Sequence, residues 1–579
     1  MLVGLLVLVS VLGLVGGWIV LRALAAQRQL RVAQVAFEQA KSDGLAGRMG
    51  EVAAKLATAQ HATATARALT SDPVWRLVDA IPGLGDTPAA VTVLAQQADV
   101  LARDVFPPLV AVSRSVEPSR LRLAGNRVDL APLQAAVPVL ARAAQDMVGV
   151  RTALADASGG WVIGAVARPL ASFRSAVDGL SDTITSLGTA ARLIPPMLGA
   201  DGVRHYFLAF QNPAESRGTG GIVGAYGVLT ADHGLLKITE LGTDAQLRNL
   251  QVVPVDLGPG FAQLYGADPA FWQNSNESPY FPDAARIWLA AWQKTRGQAL
   301  DGAIALDPIV LSDILRVTGP ATLPDGEQIS AANVVRTTLV DAYVRFAADN
   351  QARKQFLVEV SAAAVRRIFS GAGSPRALVD ALGSAAAARR LLVYSAHPGE
   401  QSQLALTPLG GTLPAGPAPF LLMTTNNAAG SKLDVYLDRS LRWTGAACSV
   451  AQGTRMTTVT VTLTNAVSPT ASFPDYVAGR DADPSRLKQH NANVELVGLY
   501  LTAGARLVDL TLDGVRVGFR SGTEHGHPGL LVPVDLPPDQ PRTLVVTLLE
   551  PATTLAPTVL VQPLVRPQRT VVDIPRCRT

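Results

Sequence analysis

The chain has 579 residues, enough for about three to four domains. Apolar residues make up 48% of it and the mean hydropathy is +0.24, while 50 basic side chains against 46 acidic ones leave a net charge of only +4. With no long Lys/Arg run, that balance excludes nucleic acid as an expected partner.

Met1–Leu21 carries no charged side chain. About 20 residues at 1.5 Å rise span roughly 30 Å, the thickness of a bilayer core. Trp18 near its end suits an interface. These features predict an uncleaved N-terminal transmembrane helix with the lipid bilayer as partner. Ala23-Leu24-Ala25 leaves a cleaved signal peptide as the alternative, although a charged leading region is missing. No second run of this length follows, so the expected topology is single-pass at the cell membrane with the bulk extracytoplasmic. Arg22, Arg28 and Arg31 pull the other way under the positive-inside rule.

Residues 22–199 read as a helical, membrane-proximal region. Arg28–Ala68 is Ala-rich and free of proline. Asp72-Pro73 and Pro82-Gly83-Leu84-Gly85 punctuate it, and Thr87-Pro88 starts a helix over Ala89–Asp104. Pro107-Pro108 breaks the pattern again before helices over Leu130–Leu154 and Pro169–Ile194. Strict heptads with charged flanks are absent, so a self-packing bundle is expected rather than a coiled coil.

Residues 200–440 alternate strand and helix, as an α/β domain does. Tyr206–Phe210 is an apolar run that fits a buried strand. Gln211–Gly221 is polar and glycine-rich and reads as a loop, and Ile222–Glu240 as a hairpin turning at Asp232-His233-Gly234. Pro282 and Asp283 open a helix over Ala284–Arg296, with Trp288 and Trp292 on its apolar stripe. Asp301–Leu306 is a strand, and Asp307-Pro308 caps the next helix. Further helices lead to strands at Arg390–Ser395, Phe420–Thr425 and Leu433–Ser440.

Residues 441–579 show short strands separated by turns such as Asp513-Gly514, which predicts a β-sandwich of immunoglobulin-like type. The two cysteines, Cys448 and Cys577, bracket this region and are natural disulfide partners outside the cytoplasm. The expected fold class is therefore multidomain α+β: anchor, helical region, central α/β domain and C-terminal sandwich.

The candidate binding residues sit in the 211–221 segment: Gln211, Asn212, Glu215, Arg217 and Thr219. A guanidinium offers a bidentate grip on an anion, and glycines let backbone N–H groups approach one. Gly218-Thr219-Gly220-Gly221 lacks the Lys-Ser/Thr of a P-loop, and the glycines also fit a tight hairpin turn. Glu524-His525-Gly526-His527 puts two imidazoles on one face of an extended chain, but with no third ligand nearby no metal is expected. Asp301 and Asp307 fit turn and cap positions better than an acid/base pair. Trp272, Trp288 and Trp292 could stack on sugars, though the helical spacing of the last two suits a core.

QNPAESRGTGGIVGAYG, SPYFPDAARIW, DGAIALDPIVLSDILRVTGPATLPDG, NNAAGSKLDVYL and PDYVAGR together resemble the bacterial domain of unknown function 4012, from about Arg204 to the C-terminus. Ser216 and Gly218 depart from the family's first motif, whereas Glu215, Arg217, Thr219, Gly220 and Gly221 keep it. The resemblance implies a membrane-anchored bacterial protein, often encoded near surface-polysaccharide genes, and no established activity. The order of elements is also similar to the LytR-CpsA-Psr phosphotransferases. That likeness implies transfer of a polyprenyl-pyrophosphate-linked glycan, with Arg217, Arg286, Asp244 and Asp283 as charged candidates and magnesium as cofactor. The expected function is non-catalytic: binding or organising cell-surface polysaccharide or lipid-linked glycan, with no cofactor. A LytR-CpsA-Psr-like transferase or hydrolase and an adhesin-like stalk are the alternatives.

Overall fold

The computed structural model describes residues 2–45, 48–81, 83, 85–123, 126–157, 162–479 and 490–579; the side chains of residues 2–12, 45, 49, 122 and 123 also lie outside the description. Pro82 and Leu84 of the expected break, and Arg480 of PDYVAGR, lie outside the described residues. The chain forms two compact units, residues 1–123 with 128–200, and residues 124–127 with 201–579.

The first unit is helical. Helices α1 (Leu2–Leu45) and α2 (Met49–Leu69) pack along small side chains, with Ala26, Ala33 and Ala36 on one and Ala59, Ala62 and Ala66 on the other buried. Asp72 caps α3 (Pro73–Asp79) by accepting from Trp75 N at 3.0 Å. α4 (Asp86–Val100), α5 (Phe106–Ser115), α6 (Ala131–Asp156) and α7 (Gly164–Met197) follow. Leu94, Leu101, Met147, Leu154 and Ile184 form their common core.

The expected transmembrane helix is not supported: among the described residues no helix is long and apolar enough to cross a membrane. Near the end of the apolar run, among the described residues, only Ile19 joins a packed cluster, while Leu14, Trp18, Val20 and Leu21 are exposed. Ile19, Ala23 and Ala26 cluster with Trp75 and Val91, and Arg22 lies 4.7 Å from the Trp18 ring centroid and 3.4 Å from Asp72. Residues 2–12, which hold half of that run, have no described side chains.

In the second unit, strands β1 (Arg204–Arg217), β2 (Gly220–Asp232), β3 (Leu235–Thr243), β4 (Gly302–Leu306) and β5 (Leu392–Ser395) share one mixed sheet in the order β3-β2-β1-β4-β5. Only β1 and β4 run parallel among these, from Tyr206 opposite Gly302 to Phe210 opposite Leu306. Helices cover both faces, which is why β1 reads as a continuous apolar run rather than an alternation. Phe207 and Ala209 meet Trp272, Trp288 and Trp292, the last two carried by α9 (Phe281–Arg296). Leu208 and Phe210 meet Val310, Ile314 and Val360 of α10 (Pro308–Thr318) and α11 (Asn350–Phe369). A short helix, α8 (Pro259–Tyr265), comes before α9.

The strands from Phe420 onward make two sheets. One holds β12 (Arg520–Glu524), β13 (His527–Leu536), β9 (Asn493–Leu501), β6 (Phe420–Asn427) and β15 (Thr558–Val561), in that order. The other runs β11 (Val515–Arg516), β10 (Arg506–Leu512), β14 (Pro541–Pro551), β8 (Thr454–Asn465), β7 (Leu437–Gly445) and β16 (Arg569–Asp573). Leu421, Trp443, Val461, Leu499, Val532 and Val546 fill the space between them. Phe420–Asn427 and Leu437–Gly445, grouped by sequence with the α/β part, thus belong to the sandwich. Cys448 and Cys577 are bonded, with Cα atoms 4.6 Å apart.

Candidate functional site

The expected loop at Gln211–Gly221 is mostly strand. β1 continues to Arg217, with irregular register between Asn212 and Ser216, and pairs Arg217 with Gly220. Its polar end does not meet water; it packs against β6, and Ser216 Oγ reaches Glu495 of β9. In open α/β sheets the crevice beyond the carboxyl ends of parallel strands is where ligands ordinarily bind. Here β1 itself, and strands of the sandwich, occupy that place. The glycines serve close packing: a Cβ on Gly218 would lie 2.1 Å from Glu277 O, and one on Gly221 2.2 Å from Asn212 C.

Arg217 is tied into the interior, not open to a cleft. Its guanidinium, 4% exposed, donates to Gln273 O (2.7 Å), Ser216 O (2.7 Å), Asn427 O (3.2 Å), Asn274 Oδ1 (3.1 Å) and Glu215 Oε1 (3.0 Å). Lys432 pairs with the other oxygen of Glu215. Burial pushes the Glu215 carboxyl up, but Lys432 and Arg217 outweigh it and hold the group below the ordinary carboxylate range. Beside them Asp434 accepts from Ser216 N (2.6 Å), Asn427 Nδ2 (2.9 Å) and Asn493 Nδ2 (2.6 Å). Burial, then the neighbouring Asp434, raise the Glu495 carboxyl well above its usual value. Lys432 and Arg217 thus face the Glu215 carboxylate, with Asp434 beside them. Gln562 completes it by donating to Arg217 O and Thr425 O, both at 2.7 Å. Such a network costs little when every member is partnered and much when one is removed.

The structure scatters the other sequence candidates. Gln211 donates to Thr219 Oγ1 at 2.6 Å, and Asn212 to the Tyr343 hydroxyl at 2.5 Å, all buried. Asp244 stands apart, 2.8 Å from Lys354. Asp283 and Arg286 lie together at the start of α9, 3.8 Å apart, with His525 Nε2 2.8 Å from Asp283. Trp272, Trp288 and Trp292 are core residues. Asp307 caps α10, accepting from Ile309 N (2.9 Å) and Val310 N (3.0 Å), and Asp301 accepts from His205 N (2.8 Å).

An open cleft of about 520 Å³ lies elsewhere, between β2, β3, the turn after β3 and the end of α9. Tyr226, Glu240, Gln246, Arg248 and Arg296 line it. The Tyr226 hydroxyl donates to Glu240 Oε1 (2.8 Å) and accepts from Arg296 Nη2 (3.0 Å). Burial, then Glu240, push the phenol up to about 12, so it stays a neutral hydroxyl. Arg296 also lies over the Trp292 ring, 5.2 Å from its centroid, and 3.8 Å from Glu240. With Glu240 offsetting one arginine, a net positive charge remains. Sequence reasoning missed this site because Arg248 and Arg296 belong to no motif; the placement of Arg296 after the Trp288/Trp292 stripe was the available signal. Lys432 and Asp434 lay inside the NNAAGSKLDVYL motif but were not singled out.

No curated protein and no solved structure matches the chain. The likeness to LytR-CpsA-Psr phosphotransferases therefore finds no support. A family model described as a protein of unknown function, DUF4012, matches residues 201–343. Those residues hold β1 to β4, the polar end of β1 and the whole Arg248/Arg296 cleft, and the match over them supports the expected likeness to the DUF4012 family.

Proposed function

We propose that residues 201–579 act outside the cytoplasm as a rigid binding module that holds an anionic glycan without turning it over. The observation that carries this reading is the cleft in which Arg248 and Arg296 stand beside the Tyr226 hydroxyl. Guanidinium groups grip carboxylate or phosphate oxygens bidentately, and a neutral tyrosine hydroxyl suits a sugar hydroxyl. The cleft is open and shallow, as a surface for a chain rather than for a small enclosed substrate. The Cys448–Cys577 bond supports an oxidising compartment. The buried joint at Arg217 supports rigidity, since it fastens the α/β sheet to the sandwich.

The test is titration of the purified full chain with oligogalacturonate and with polyglycerol phosphate, against neutral dextran. Saturable binding of an acidic polymer, weakened by salt and at least tenfold by Arg248→Ala or Arg296→Ala with unchanged melting temperature, is expected. Binding that ignores both substitutions, or none to either polymer, refutes the assignment.

A further inference from the structure

The turn between β12 and β13 is short, and His525 and Gly526 take the left-handed backbone, with φ of 46° and 90°. It lays the His525 imidazole on Tyr280 at the start of α9, ring centroids 3.5 Å apart and planes 21° from parallel. This brings Nε2 to 2.8 Å from Asp283 Oδ2. Glu524 comes to the same place. One donor atom from each of Asp283, Glu524 and His525 lies within 4.8 Å of the others. The two acids are 2% and 1% exposed, whereas the His525 side chain is 38% exposed and opens the group to solvent.

We propose that Asp283, Glu524 and His525 form a binding site for a divalent cation of the zinc–manganese class. The inference goes beyond glycan binding and does not depend on it. One imidazole and two carboxylates are a ligand set that such ions accept, with further positions left for water. The donors are oriented from behind, as metal ligands usually are. Ser278 Oγ donates to Glu524 Oε1 at 2.6 Å, and the Tyr265 hydroxyl donates to Oε2 at 2.9 Å while contacting the Tyr500 hydroxyl at 2.7 Å. Each carboxylate oxygen retains a second lone pair for a cation. Two carboxyl groups buried this close repel one another when both are ionised, and a dication removes that repulsion. Arg286 compensates only Asp283, through Oδ1 at 3.8 Å, and its side chain is 42% exposed and can withdraw into water. His527 is not a ligand: its ring nitrogens sit 2.8 Å from Leu501 O and 2.8 Å from Pro414 O. The third ligand that the Glu524-His525 pair lacks in the sequence is Asp283, 242 residues away.

The full chain, stripped with a chelator, is titrated calorimetrically with zinc chloride and with manganese chloride, and melted with and without each ion. One saturable equivalent, accompanied by a higher melting temperature, is expected for at least one of the two. His525→Ala should weaken that binding at least tenfold. Asp283→Asn, which keeps a hydrogen-bonding group beside His525, should weaken it as well and guards against a folding defect in the first variant. Absence of saturable binding by both ions, or equal affinity in both variants, overturns the proposal.

Discussion

Replacing Arg217 by alanine tests whether the family-matched strand is a joint or a ligand site. The guanidinium donates to three backbone carbonyls, to Asn274 and to Glu215, and is 4% exposed. Removing one partner of a buried ion pair costs about 3–5 kcal/mol. Lys432 remains on Glu215 and draws the cost toward the lower figure. The orphaned carbonyls of Gln273, Ser216 and Asn427 push it back up, because a buried unpaired acceptor costs about 1–3 kcal/mol. We expect a loss of about 4–5 kcal/mol. At about 2.1 cal/mol/K of unfolding entropy per residue, a unit of this size loses roughly 1.2 °C per kcal/mol, so the melting temperature should fall by about 5–6 °C. Arg217→Lys keeps the charge but not the planar fork and should fall between. Calorimetric melting together with glycan titration decides the matter. A variant that melts within about 1 °C of the parent and has lost acidic-glycan binding would refute the argument.

Reduction, or Cys448→Ser, opens a link across 129 residues and should lower stability by about 4–5 kcal/mol in the chain-entropy account, read as a drop in the denaturant midpoint; an unchanged midpoint speaks against the bond. Gly218→Ala pushes a methyl group to 2.1 Å from Glu277 O, a backbone atom that cannot rotate away, so it should destabilise by several kcal/mol, about as much as severe overpacking does; a neutral effect would mean the two segments part easily. Glu277 supplies a pH dependence: burial pushes its carboxyl up from 4.5 to about 7. The folded state holds that proton more tightly than the unfolded one, so this contribution is full below the unfolded value and is lost as pH rises through the folded one. Melting temperature should decline between pH 4.5 and about 7, and Glu277→Gln should flatten that decline.

The sequence carries what is local and hides what is distant. Tyr206–Phe210 is legible as a buried strand because helices cover both its faces, and Asp307-Pro308 is legible as a cap because the accepted N–H groups lie two and three residues on. Gln211–Arg217 is not legible in the same way. A polar run between glycines ordinarily finds its hydrogen bonds in water, and so reads as a loop. Here Ser216 finds Asp434 at a separation of 218 residues and Glu495 at 279, and Arg217 O meets Gln562 at 345. Phe420–Asn427 misleads for a related reason. Its neighbours in sequence are α/β elements, while its pairing partner is Asn493–Leu501. Met1–Leu21 has the length and composition of a span, yet among the described residues no helix is long and apolar enough to cross a membrane, and Ile19 clusters with Trp75, a contact no hydropathy window contains.

The same distances bear on where a folding boundary can lie. The family model ends at residue 343, but β1 inside it carries Glu215, Ser216 and Arg217 to positions with partners beyond that limit: Lys432 for Glu215, Asp434 and Glu495 for Ser216, and Asn427 for Arg217. Within residues 201–343 alone, Arg217 would keep Glu215, Asn274 and two carbonyls, and Glu215 would lose its lysine. Ser216 would lose both acids that it contacts. The hydrophobic faces of the sheet are divided likewise, since Val360 and Phe356 of α11 close one of them from outside the matched segment. A strand that buries two opposite charges and a serine against another sheet has no stable surface of its own. The segment recognisable in sequence is therefore part of a larger compact unit, residues 124–127 with 201–579, whose sandwich supplies partners for its buried polar end.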